Sequence, residues 1–117
     1  MVKVKKKRRA RIKETRVRKK RIRGIRHATE ILSDVPSEKC FWAHNGWIIR
    51  NLQEVPIALE NMSDETFVYH VNRDKNDFAR WINDVIGDKV LARSIENVKK
   101  KSTMIAKIKK RIAQLKG

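Results

Sequence analysis

A chain of 117 residues with a formal net charge of +17 is expected to be one domain plus extensions, and a protein this basic seeks polyanions. Its single cysteine, Cys40, excludes an internal disulfide and suits a reducing compartment. No apolar run approaches the roughly 18 residues of a membrane span, and no apolar block follows the basic N-terminus, so a soluble, cytoplasmic protein without a secretory signal is expected.

Residues 1–26 (MVKVKKKRRARIKETRVRKKRIRGIR) hold 15 of the 30 Lys and Arg residues and one acid, Glu14, a net +14. A small globular body cannot hide so much like charge within itself. The apolar residues Val2, Val4, Ala10, Ile12, Val17, Ile22 and Ile25 scatter around a helical wheel, leaving no stripe to bury. A disordered arm that gains structure on its partner is expected. Residues 27–96, with seven Lys/Arg against twelve acids, are net −5 and contain every aromatic and both prolines, so the core lies there. Residues 97–117 carry eight Lys/Arg and no acid.

Ala28, Ile31, Leu32 and Val35 predict a helix of about two turns, ended by Ser33-Asp34 and Pro36. Cys40 to His44, Asn45-Gly46 and Trp47 to Ile49 predict a β-hairpin, because Asn-Gly tolerates the positive φ of a two-residue type I′ turn. Asn51 and Glu54 form a capping-box pattern before Leu52, Val55, Leu59 and Met62; Pro56 pushes the helix start later. Ser63 opens a second helix with Phe67, His70 and Val71 inward. After a polar break over Asn72 to Asn76, Asp74 is the expected cap of a third, with Phe78, Trp81, Ile82 and Val85 on one face and Gly87 as its stop. Asp88 is expected to cap a last helix running from Lys89 to Leu115. Its Leu91, Ile95 and Val98 serve the core, while Met104, Ile105, Ile108, Ile112 and Leu115 project a stripe beyond it. That stripe needs a partner: the 28–35 helix, a second copy or another protein.

The organisation is therefore a basic arm over 1–26, a short helix and linker over 27–38, a small globular domain over 39–98 and a basic amphipathic extension over 99–117. The fold class is mainly α with a small hairpin (α+β). A core of roughly 60 residues is near the lower limit of self-sufficiency, unless the C-terminal helix joins it.

Phe67-Val-Tyr-His70-Val-Asn72, Lys75-Asn-Asp-Phe-Ala79-Arg-Trp81 through Gly87-Asp88, and Leu91-Ala92 resemble a small uncharacterised domain of archaea and some bacteria. The resemblance covers about residues 40–96 and implies a domain boundary and an archaeal-type origin. It carries no activity, and the basic ends are placed outside it.

Function is then read from those ends. Arg forks onto phosphate or enters a groove, whereas Lys acts as a point charge. The expected contacts in the arm are Lys5, Lys6, Lys7, Arg8, Arg9, Arg11, Arg16, Arg18, Lys19, Lys20, Arg21, Arg23 and Arg26. Lys99, Lys100, Lys101, Lys107, Lys109, Lys110 and Arg111 form a second group. A solubilising or import segment is the blander alternative. No zinc-finger spacing or RNA-recognition signature is present, and Asp77 and Asp84 disfavour a helix-turn-helix centred on Asn72 to Asn76, so sequence-tolerant binding to DNA or RNA is expected.

Trp42 and Trp47 can serve as stacking platforms, but membership of the core is the favoured reading, with at most one facing solvent if the strands alternate. Cys40, His44 and His70 with Asp74 or Asp77 lack the paired spacing of a zinc site, and His70 reads better as a buried, hydrogen-bonded histidine. No nucleophile elbow or phosphate loop occurs, so neither catalysis, metal nor cofactor is expected. The competing class is a protein-interaction adaptor with basic ends as anchors. The absence of aromatics from both ends argues against membrane insertion.

Overall fold

The computed structural model describes residues 27–117, so the expected disorder of the arm lies outside the described residues. One compact unit runs from Ile31 to Gly117. Residues 27–32 are helical (α1), followed by a 3₁₀ turn at Ser37–Lys39. Strands β1 (Phe41–Trp42) and β2 (Ile48–Ile49) form an antiparallel hairpin. Helices α2 (Glu54–Asn61), α3 (Asp64–His70) and α4 (Asp77–Trp81) follow. A π turn at Ile82–Ile86 extends α4, and α5 (Lys89–Ile95) and α6 (Lys101–Lys116) complete the chain. The mainly α class with one small hairpin is what the sequence predicts.

Local chemistry sets most boundaries. The Ser63 hydroxyl accepts the Thr66 N–H at 3.1 Å, and an Asp88 carboxylate oxygen accepts the Leu91 N–H at 3.1 Å, each satisfying an orphan donor of a first turn. Asn51 accepts the Glu54 N–H, and Glu54 reaches back to the Arg50 N–H, but α2 itself begins at Glu54. Pro56 thereby falls in the first turn, where its missing N–H has no helical partner to lose. Gly87, at φ +87°, ends the π turn in the left-handed conformation. The cap of α4 is Asn76 rather than Asp74: Asn76 Oδ1 accepts the Ala79 N–H at 3.0 Å, while the Asp74 N–H donates to Asn72.

Two larger expectations are corrected. The hairpin pairs Phe41 with Ile49 and Trp42 with Ile48. That register closes through a three-residue loop, with Gly46 N–H donating to Ala43 C=O and Ala43 N–H to Trp47 C=O, and with Gly46 at φ +92°. A two-residue turn would need the His44 N–H for the strand ladder. Here that N–H donates instead to His70 Nε2 at 2.9 Å, and the register moves by one.

The helix expected over Lys89 to Leu115 is broken at residues 96–100. Asn76 Nδ2 donates to the carbonyls of Ile95 and Glu96, ending α5, and Lys101 Nζ donates to Met62 C=O at 2.7 Å, seating the start of α6 beside the end of α2. The second helix consequently lies along α2 and α5 instead of projecting. Met104 and Ile108 are fully buried with Leu52, Val55, Leu59, Phe78, Ile82, Leu91 and Ile95, and Ile105, Ile112 and Leu115 pack around them. The stripe's partner is thus the chain's own core.

Phe41 stacks on Phe78 (centroids 4.6 Å apart) and meets Trp81 edge-on, and Trp81 Nε1–H donates to Lys39 C=O at 2.8 Å. This cluster holds the hairpin against α4.

Candidate nucleic-acid interface

The thirteen expected arm contacts lie outside the described residues; the seven C-terminal ones divide by flank of α6. On the flank toward α2 and α3, Lys101 is tied to Met62 C=O and lies 3.5 Å from Asp64, and Lys109 pairs with Glu60 at 2.8 Å. On the flank toward α5, Arg111 forks onto Asp88, with Nε to Oδ2 at 2.7 Å and Nη2 to Oδ1 at 3.1 Å. The Asp88 side chain is 1% exposed and also caps α5, so Arg111 is committed to the fold. Lys99, Lys100, Lys107 and Lys110 are exposed and make no ion pair among the described residues.

Lys107 and Lys110 lie one turn apart and edge a groove of about 190 Å³ between α5 and α6, with Arg111, Ser94 and Gln114. On the other side of α5 a groove of about 640 Å³ is lined by Asn76, Asn83, Asn97, Arg80, Lys89 and Arg93, together with Asp84 and Glu96. Its floor is made by Ala79 and Ala92, whose small side chains leave room between α4 and α5. The exposed ridge of α5, Val90 and Ser94, therefore separates two grooves that both carry cations. Reading charge by runs missed Lys89 and Arg93: they sit singly in an acidic stretch, and only their i, i+4 spacing on α5 hints that they share a face.

The histidine centre is structural in geometry. His70 is 4% exposed; its Nε2 accepts the His44 N–H, which leaves the proton on Nδ1 to donate to Asp77 Oδ2 at 2.9 Å. Neither ring nitrogen is left for a substrate or an ion. Lys75 Nζ also donates to Asp77 Oδ2, at 2.9 Å. Burial pushes the Asp77 carboxyl upward, the largest single influence, yet the hydrogen bonds and charges of Lys75 and His70 together outweigh it and hold its pKa below the usual aspartate value. The His44 ring stacks on Tyr69 at 3.9 Å, and Cys40 Sγ faces Pro36 C=O at 3.8 Å. Among the described residues no three His, Cys, Asp or Glu side chains converge as metal ligands.

The aromatics divide differently from expectation. Phe41, Phe67, Phe78 and Trp81 are buried, but Trp42 is 68% exposed and Trp47 is 39% exposed. Trp42 reaches solvent because it occupies the outward position of β1, opposite Ile48, and Trp47 is partly exposed at the loop end of the hairpin, where it pairs with Ala43.

No helix among the described residues is long and apolar enough to cross a membrane. No curated protein and no solved structure gives a significant match to the chain. A family model does match, over residues 10–116, reaching past the 40–96 stretch into both basic ends. The chain belongs to that family, the family of unknown function DUF5752.

Proposed function

We propose that this is a non-enzymatic nucleic-acid-binding protein that grips the phosphate backbone of DNA or structured RNA with little regard for sequence. The observation that carries this reading is the charge of residues 1–26, fifteen cations against one acid. The exposed cations Lys99, Lys100, Lys107 and Lys110, which make no ion pair among the described residues, support a second contact on the body, with Lys89 and Arg93 across the α5 ridge. Lys101, Lys109 and Arg111 contribute less, being paired within the fold. The setting proposed is cytoplasmic, as a nucleoid coat or on ribosomal or other structured RNA.

Each neutralised phosphate releases counterions, so log K falls with log salt by about 0.9 per contact on duplex DNA. With about six to ten contacts, affinity drops on the order of a thousandfold or more between 50 and 200 mM salt. A mobility shift at physiological salt with residues 1–26 deleted tests the reading: binding should be lost, and unchanged binding would refute it. A second reading, an adaptor anchored by its basic ends to acidic partners, draws on the exposed Ile57, Val68 and Val90. Binding to polyglutamate as tight as to nucleic acid of equal charge would favour it.

A further inference from the structure

Beside the hairpin lies a cleft of about 430 Å³ with an unusual lining. Trp42 forms its exposed wall, Phe41 and Trp81 its buried aromatic floor, and the carboxylates of Asp77 and Asp84 sit at its edge with Arg80. Asp77 is held by Lys75 and His70 and Asp84 lies 3.8 Å from Arg80, so the rim has no surplus cation to draw a phosphate inside. What the lining fits is a flat, neutral group that stacks on indole and offers N–H donors to carboxylate oxygens. An exocyclic amine of a nucleobase meets both conditions.

We infer that this cleft receives an unpaired, amine-bearing nucleobase stacked on Trp42, making single strands or unpaired loops the substrate class of the interface. Position supports the assignment. Arg80 and Asp84 line both this cleft and the polar groove between α4 and α5. That groove leads past Lys89 and Arg93 to the α5 ridge and the Lys107–Lys110 groove beyond. A strand crossing these surfaces sets phosphates against cations and leaves one base at the aromatic end. The Arg80–Asp84 pair, 3.8 Å apart on an exposed helical turn, is loose enough for Arg80 to turn to a phosphate while Asp84 accepts from the base. Within a duplex the bases are stacked and paired, so none reaches the indole.

The inference rests on the nucleic-acid reading, and the test separates the two. Labelled 12-nucleotide oligo(C), oligo(U) and a blunt duplex are titrated by anisotropy into the full chain, into Trp42→Ala, Trp42→Phe and Lys107→Glu/Lys110→Glu, each checked for folding by circular dichroism. Stacking on one base corresponds to a loss of roughly 5- to 150-fold on truncation to alanine. Trp42→Ala should lose that much for oligo(C) and little for the duplex, Trp42→Phe should recover most of it, and oligo(U), lacking the amine, should bind more weakly than oligo(C). If Trp42→Ala binds oligo(C) like wild type while the double lysine variant is weakened, the cleft assignment fails and backbone binding stands. If wild type binds none of the three, both fail. Quenching of Trp42 by an arginine-rich peptide but by no oligonucleotide would overturn the assignment in favour of a protein cation.

Discussion

Asp88 shows how one side chain reads differently in sequence and in space. Its place before Lys89-Val-Leu marks a helix cap, and it is one, through the Leu91 N–H. Its second role, receiving a forked guanidinium from Arg111, depends on a residue 23 positions away, and nothing local signals it. Removing one member of a buried pair strands the other, so Arg111→Met should cost about 3–5 kcal/mol in urea unfolding. Lys109→Met, breaking an exposed pair with Glu60, should stay within about 1 kcal/mol. Asp77 gives a pH signature. Its folded pKa lies below the unfolded one, so between the two the unfolded chain binds more protons and stability rises with pH. The contribution is complete above the ordinary aspartate value of about 3.9 and is lost as pH falls through the folded value. Urea midpoints measured from neutral pH down into this acid range should fall less steeply for Asp77→Asn than for wild type.

Among elements, those defined by neighbouring residues were legible and those defined by distant ones were not. Ser63, Asp88 and Gly87 announce the ends they make, because cap and first turn are adjacent in the chain. The hairpin was legible as a hairpin but not in register: the deciding hydrogen bond joins His44 to His70, 26 residues on. Gly46 keeps its importance under the observed register, since φ +92° disfavours any side chain; Gly46→Ala should cost about 1 kcal/mol or more in thermal or urea unfolding. The exposure of Trp42 follows from the same register, and composition pointed the other way because aromatics in small domains are normally core. The division between α5 and α6 was hidden for a similar reason, since the apolar periodicity continues through it while the breaking groups come from Asn76 and Met62.

At the scale of the molecule, the compact unit is Ile31 to Gly117, so α6 stabilises the body from which it looked separable. Ile108→Ala should cost about 2–5 kcal/mol, the range for emptying a packed core position. Truncation after Val98 should abolish the cooperative unfolding transition in calorimetry, because it uncovers α2 and α5 together. A cooperative transition surviving in the 39–98 fragment would contradict this packing. The Asn76 carboxamide has the widest consequence of any polar group here, since its oxygen begins one helix and its nitrogen closes another. It works like a two-way buckle: hydrolysis to aspartate would keep the oxygen's clasp but set a second carboxylate oxygen, which only accepts, against the carbonyls of Ile95 and Glu96. The straps it fastens carry Arg80, Lys89 and Arg93, the cations of the larger groove, so the spacing of that positive surface is set by a residue that bears no charge.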